Sequence, residues 1–264
     1  MIEAEGRTVK SVETACRIIQ AFRADGCETV SEIADELDLS PGTVHTHLTT
    51  LWQFGFVVQH DDRYALGPEF SAIGEYVRNQ STLFKAAKEQ IDSLADETGE
   101  AAHLIIEHQG RLYALYERFG ENAVGVTYHT RKRQSSLRHL HCTAAGKAIL
   151  AHVPEERFVT IINRHGLPRM TPETITKIDL LVEELEAIRA RGIAFADEEQ
   201  IEGLRAVGAP VHNASDEVIG ALAVSGPVSR LKAKRFREEV ADKVRDAAQV
   251  AELTIQTDDR GQRL

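Results

Sequence analysis

Apolar residues recur at helical spacing over residues 11–23, where Val12, Ala15, Cys16, Ile19 and Phe22 share one face and Gly26 ends the run. Thr29, with Glu32 three positions on, makes a capping box that opens a second helix through Leu37, with Ile33, Ala34 and Leu37 turned inward. Ser40 followed by Pro41 is a strong helix start, because proline at the first helical position has no N–H to leave unsatisfied. A third helix runs from there to about Phe54 on a stripe of Val44, Leu48 and Leu51, with Gly55 as its expected left-handed C′ residue. Residues 56–58 and 63–66 read as short strands around an Asp61-Asp62 turn. Two short helices about a tight turn, followed by a small hairpin, predict a winged helix-turn-helix.

Gly67-Pro68 closes that unit. Over residues 69–98, Ile73, Tyr76, Val77, Leu83, Phe84, Ala87, Ile91 and Leu94 form an apolar seam, with a break expected at Asn79-Gln80 and an end at Gly99. A helical stretch of this length between domains suits a connector or a dimer contact. Beyond it the pattern is mixed. Residues 102–107 and 111–117 read as a hairpin around His108-Gln109-Gly110, and 124–128 as another strand. Helices are expected at 142–151, 155–164 and 178–191, the last closed by Gly192. Strands follow at 193–196, 207–211 and 218–225, the last two joined by the turn Asn213-Ala214-Ser215-Asp216, and a final helix covers 231–254. The expected fold class is α+β. It comprises a winged helix-turn-helix over 1–67, a long connector helix over 68–98, an antiparallel-sheet domain over 99–258 and a flexible tail at 259–264. Such a sheet suits a small-molecule sensor, although periodicity alone fits a small enzyme equally well.

The length of 264 residues agrees with about two domains. No segment approaches the ~20 apolar residues of a membrane span, and the N-terminus has no apolar signal core. The expected setting is cytoplasmic, without a membrane partner. Three scattered cysteines, Cys16, Cys27 and Cys142, argue for a reducing compartment rather than a disulfide framework. The net charge of −10 sits awkwardly with DNA binding, which phosphate neutralisation normally drives. Over residues 1–80 the basic residues are Arg7, Lys10, Arg17, Arg23, Arg63 and Arg78, and acidic residues clearly outnumber them. Either DNA binding has been lost, or the chain works in a salty cytoplasm, where screening acts within ~3 Å at 1 M salt. The excess of arginine over lysine suits the second reading.

Several segments resemble one family. R-T-V-K-S-V-E-T-A-C-R-I-I-Q-A-F from Arg7 and the helix pair S-E-I-A-x-x-L-x-L-S come first. L-H-C-T-A-A-G-K-A-I-L-A from Leu140, D-E-E-x-x-x-G-L-R from Asp197, A-P-V at Ala209 and G-A-L-A-V-S-G-P from Gly220 follow in order. Over nearly its whole length the chain resembles an IclR-type transcriptional regulator, and its acidity and T-V-H-T-H helix resemble haloarchaeal members. The resemblance implies a winged helix that binds operator DNA and a GAF-like C-terminal domain whose pocket takes a small organic effector. It implies dimers or dimers of dimers on a palindromic double-stranded operator, without a cofactor.

The third helix would then enter the major groove, presenting Thr43, His45, Thr46, His47, Thr49 and Thr50, with Ser40 and Gly42 at its entry. His45, Thr46 and Thr49 are the candidates for base edges, while hydroxyls and helix-terminal N–H groups suit phosphates. The helix has no Arg or Lys, so the bidentate guanine contact is missing. Arg63 in the wing, and Arg7, Lys10 and Ser11 beside the first helix, are candidate backbone or minor-groove contacts.

For the effector, the small residues Ala144, Ala145 and Gly146 after Cys142 let a ligand approach the start of a helix. They serve equally for close helix–sheet packing. Asp197, Glu198 and Glu199 sit in a loop after a strand and are candidate acceptors, and Ser225 is a candidate hydroxyl donor. Ala206 and Ala223 stand where many family members carry cysteine and serine, and Ala196 where an acid is frequent. The resemblance therefore implies an effector pocket less polar than that of organic-acid sensors. The ligand class expected is a sugar acid, a sugar or another carbon-source metabolite. Three rival readings compete with this one. Cys142 with His139 and His141 resembles a nucleophile with a base. The same residues with His103 or His129 offer metal-type donors, although without a recognised ligand spacing. A regulator that binds DNA without any ligand is the third.

Overall fold

The structure is a computed structural model that describes residues 7–25, 27–124 and 139–261. The chain divides into two compact units, Met1–Gln80 and Ser81–Leu264. In the first, helices α1 (Lys10–Asp25), α2 (Val30–Leu37) and α3 (Pro41–Gln53) pack around Ile18, Phe22, Ile33, Val44 and Leu48. The capping box forms as its sequence requires. The Glu32 carboxylate accepts from the Thr29 N–H, and the Thr29 hydroxyl accepts from the Glu32 N–H. Asp38, in the left-handed region at φ 53°, turns the chain between α2 and α3. Ser40 then caps α3 through the Thr43 N–H.

Strands β2 (Val57–His60) and β3 (Arg63–Leu66) form the wing. A third strand, β1 (Cys27–Thr29), pairs antiparallel with β3 and gives the order β1-β3-β2. Nothing in a three-residue segment distinguishes it from a linker, so the pattern did not predict it. Helix α4 (Glu69–Gln80) starts where Phe70 packs on Phe56 with ring centroids 5.2 Å apart, and it buries no side chain within the chain.

The second unit opens with α5 (Thr82–Thr98). The stretch expected as one connector is thus two helices. The Ser81 hydroxyl accepts the Phe84 N–H and caps a new start, so α4 falls in the first unit and α5 in the second. Strands β4 (Ala101–His108), β5 (Arg111–Phe119), β6 (Ala194–Asp197), β7 (Leu204–His212) and β8 (Val218–Pro227) form a wholly antiparallel sheet in the order β5-β4-β8-β7-β6. The β4–β5 turn uses Gln109 and Gly110, both at positive φ, as a two-residue hairpin of right-handed twist needs.

Alternation along the strands buries both faces. Leu104, Phe195, Val207, Val211, Leu222 and Val224 face α5 and the C-terminal helix α9 (Val240–Gly261). Ile105, Ala194, Ala221 and Ala223 face α6 (Ala144–Leu150), α7 (Glu155–His165) and α8 (Ile178–Arg191). One wide, π-type turn over Arg235–Glu239 leads into α9, which runs on through Gly261 into the segment expected as tail. Residues 125–128 of the strand expected at 124–128 and the last tail residues, 262–264, lie outside the described residues, as does His129.

Candidate functional site

Helix α3 carries its predicted readers on its outer surface, since Val44 and Leu48 are the positions it buries. A Cβ at Gly42 would meet nothing within 4 Å, which leaves the backbone at the helix entry open. The hydroxyls, however, are engaged within the helix. Thr46 donates to the Gly42 carbonyl at 2.9 Å, Thr49 to His45 at 2.8 Å and Thr50 to Thr46 at 3.1 Å. His47 Nδ1 meets the Thr43 carbonyl at 2.9 Å, and Ser40 shares a hydrogen bond with Thr43. Outward, these threonines therefore present methyl groups and oxygen lone pairs rather than donors. Arg63 in the wing lies 3.5 Å from Glu32, an exposed ion pair. Arg7, Lys10 and Ser11 are exposed at the start of α1.

In the second unit, two rows of residues cross the sheet on the face that α6 covers. One row runs Ala196, Ala206, Ser225, Ala101 and Phe119; the next runs Ala194, Gly208, Ala223, His103 and Glu117. Small residues let α6 come down on the strands. A Cβ at Gly208 would stand 2.7 Å from the Ala144 carbonyl carbon, and one at Gly146 would collide with the Leu140 carbonyl oxygen. The Thr143 hydroxyl accepts the Gly146 N–H and caps the helix. The fold thus brings Ala144 and Ala145 over the face that carries Ala206, Ala223 and Ser225.

A polar chain that sequence reasoning missed sits in these rows. His103 Nδ1 is 2.8 Å from Glu117 Oε1, and its Nε2 is 2.8 Å from Ser225 Oγ. His103 is 5% exposed and Ser225 7%, and the Glu117 side chain is fully buried.

Other predicted positions are engaged elsewhere. Asp197 points to the opposite face of the sheet, where its two oxygens take Arg205 at 2.6 and 3.1 Å, and Arg205 also donates to the Leu231 carbonyl. Glu198, at φ 60°, accepts the Gly203 N–H and closes its own loop. Glu199 is buried and takes Lys147 Nζ at 2.6 Å, while the Thr171 and Thr174 hydroxyls donate to its carbonyl. Burial pushes the Glu199 carboxyl above its usual range, and Lys147 partly offsets that. Lys147 also reaches Glu184 at 3.4 Å, which Arg191 holds at 2.8 Å.

Cys142 is buried, and its thiol donates to the His139 carbonyl. His141 donates to the Pro168 carbonyl, and burial lowers its pKa to about 4. Among the described residues no group of three or more His, Cys, Asp and Glu side chains is placed to hold a metal ion. Nor is any described helix long and apolar enough to cross a membrane.

A winged helix with an exposed third helix, followed by a layered antiparallel sheet with a buried polar chain, defines a DNA-binding regulator with a ligand-binding domain. Comparison with known proteins narrows this. The IclR helix-turn-helix domain matches residues 11–61 and the C-terminal domain of bacterial IclR transcriptional regulators matches residues 75–252. The chain belongs to the IclR family of transcriptional regulators, and it is not an enzyme. It is 40% identical over 254 residues to a probable HTH-type transcriptional regulator ArcR from Halobacterium salinarum, covering 96% of each chain. Its fold is similar to the IclR crystal structure from Thermotoga maritima, with TM-score 0.74, 26% identity and 94% of this chain and 99% of that one covered. An IclR homologue from Microbacterium hydrocarbonoxydans, complexed with 4-hydroxybenzoate, has the same fold at TM-score 0.77 and 20% identity, over 94% and 99% of the two chains.

Proposed function

We propose that the C-terminal domain binds a small organic effector, a sugar, sugar acid or related carbon-source metabolite, over the sheet face of Ala206, Ala223 and Ser225, with Ala144, Ala145 and Gly146 above it. The observation that carries this is the chain Ser225–His103–Glu117, a buried polar group amid small residues. Effector binding shifts operator affinity by as much as the effector's affinity differs between the two states.

The operator is an imperfect palindrome read by a homodimer or a dimer of dimers. On α4, Ile73, Tyr76 and Val77 share one face at helical spacing, and Tyr76 is 67% exposed. An apolar face of that kind supports a second copy of the chain as its cover. His45 reads base edges, Thr46 and Thr49 meet them with their methyl groups, and Ser40, Thr43, Arg63, Arg7 and Lys10 contact the backbone. A role on DNA supports a cytoplasmic setting.

Footprinting on the DNA upstream of its own gene is expected to protect two half-sites about one helical turn, ~34 Å, apart. Absence of any protected palindrome across a salt series would sink the operator reading. A monomer by light scattering at micromolar concentration would remove the dimer.

A further inference from the structure

A cavity of about 810 Å³ opens within the second unit, where the end of α6 meets α7, α8 and the β7–β8 turn. Its lining starts at Leu150, the last residue of α6, whereas Ala144 and Ala145 lie over the effector face at the start of that helix. We propose that this cavity is a second ligand site, separate from the effector face, and that it takes a small organic amine: an ammonium head on an apolar body.

The volume falls within the roughly 300–1,000 Å³ of ligand pockets. Leu150, Val153, Phe158, Val182 and Leu185 supply an apolar wall, and Leu150 and Leu185 are each 1% exposed, so core packing holds it in place. The polar lining mostly accepts hydrogen bonds. His152 meets the Ala148 carbonyl through Nδ1 at 2.9 Å, and a carbonyl only accepts, so the ring hydrogen sits on Nδ1. Burial lowers the His152 pKa below 6.5, which keeps the ring neutral at pH 7 and leaves a lone pair on Nε2. Among the described residues that nitrogen has no hydrogen-bond partner.

The His152 ring meets that of His212 edge to face, with centroids 4.9 Å apart. His212 is tied to α9, because Glu252 Oε1 accepts both its backbone N–H at 2.8 Å and its Nδ1 at 2.7 Å. The Glu252 carboxylate raises the His212 pKa and balances the charge that the ring takes on. Both histidines are half-buried, while Glu155, Glu186 and Asp216 are exposed at the mouth. The cation among the lining residues is Arg189, whose Nε donates to the Ala151 carbonyl at 2.5 Å. Three carboxylates and an imidazole lone pair against one guanidinium favour a donor-rich cation and oppose an anion. Among the described residues no three such groups are placed to hold a metal ion. An organic cation uses both parts of the site, its ammonium at the acidic mouth and its carbon body against the apolar wall.

Titration calorimetry on the full-length protein at pH 7 tests the proposal with probes that share a skeleton and differ in the head. One set is hexylamine, hexanol and hexanoate; the other is phenethylamine, phenethyl alcohol and phenylacetate. At least one amine is expected to bind about tenfold or more tightly than both its alcohol and its acid. Val182→Trp, which fills the cavity from α8, is expected to abolish amine binding. Glu186→Gln combined with Asp216→Asn is expected to remove most of the preference over the alcohol. That double variant changes exposed side chains only, and asparagine tolerates the left-handed backbone of Asp216 at φ 63°, so it decides the matter should Val182→Trp not fold. No binding by any amine, alcohols or acids that bind as tightly, a preference unchanged in the double variant, or amine binding that survives in folded Val182→Trp overturns the proposal.

Discussion

Replacing Lys147 with methionine isolates the ion pair that ties α6 to the loop after β6. Lys147 is 1% exposed, and its Nζ lies 2.6 Å from Glu199, whose second carboxylate oxygen has no partner among the described residues. Methionine keeps most of the aliphatic stem and removes only the charge. Glu184 retains Arg191 at 2.8 Å, so a single carboxylate is orphaned. Breaking a buried pair from one side costs ~3–5 kcal/mol, because the remaining charge keeps its desolvation penalty without its counter-charge. Lys147→Met is expected to destabilise the second unit by that amount at pH 7. Adding Glu199→Gln is expected to recover more than half of it. The sign with pH is fixed as well. A carboxyl whose folded pKa is raised carries its full penalty above that pKa and loses it as pH falls through it toward the ordinary value of 4.5, so the Lys147→Met deficit shrinks over that window. The assay is urea unfolding of the full chain, followed by far-ultraviolet circular dichroism and by tryptophan fluorescence. The one tryptophan, Trp52, lies in the first unit, so the transition silent in fluorescence belongs to the second. A deficit under ~1 kcal/mol at pH 7, or no rescue by Glu199→Gln, would refute the reasoning.

Four further outcomes follow from the same geometry. His141 has its pKa lowered by burial from 6.5 to about 4, so the folded state binds fewer protons. Stability is expected to fall by ~3 kcal/mol as pH drops from ~6.5 to ~4, and His141→Gln to remove that increment in calorimetry at matched pH. Gly208→Ala places a methyl 2.7 Å from the Ala144 backbone, and the second unit should lose about 1–3 kcal/mol in urea; an unchanged midpoint would show that α6 floats on the sheet. In anisotropy titrations on operator and scrambled duplexes, His45→Ala should weaken specific binding far more than non-specific binding. Thr46→Val should change little, because its hydroxyl donates to Gly42. With Arg7, Lys10 and Arg63 as the phosphate-reaching cations, a dimer neutralises roughly six phosphates. The slope of log affinity against log salt should then be no steeper than about −5.

Local grammar carried most of the fold. Thr29 with Glu32, Ser40-Pro41, Gly99 and Gly192 each act within one turn of chain, and each does in the structure what its residue type dictates. The sheet strands were legible because both faces are buried and the turns between them are marked by Gln109-Gly110 and Asn213 to Asp216. The candidate site was less legible. Small residues around Ala144 announced close approach, but His103 and Glu117 lie 14 residues apart, and their meeting depends on the bulge at Leu104/Ile105. No spacing rule along one strand contains that information, because a bulge is settled by pairing across strands. Asp197 shows the opposite failure. Its place in a signature segment suggested a ligand contact, while strand alternation sends it to the other face with Arg205.

The acidity of the first unit and the inward-turned hydroxyls of α3 bear on how such a regulator would work. The helix that would read each half-site carries no arginine or lysine, and only Arg7, Lys10 and Arg63 are placed to reach phosphates, so a single winged helix in this acidic unit would bind weakly. Pairing two such units raises the effective concentration of the second by orders of magnitude when the spacing fits, and contributes almost nothing when it does not. Occupancy then depends steeply on spacing. Under the proposed reading, an effector needs only a modest difference in affinity between two states of its domain to move the protein on or off its operator. A strongly basic reader would resist the same shift, because its phosphate attraction persists at the wrong spacing. Weak half-sites are thus what make a small ligand effective.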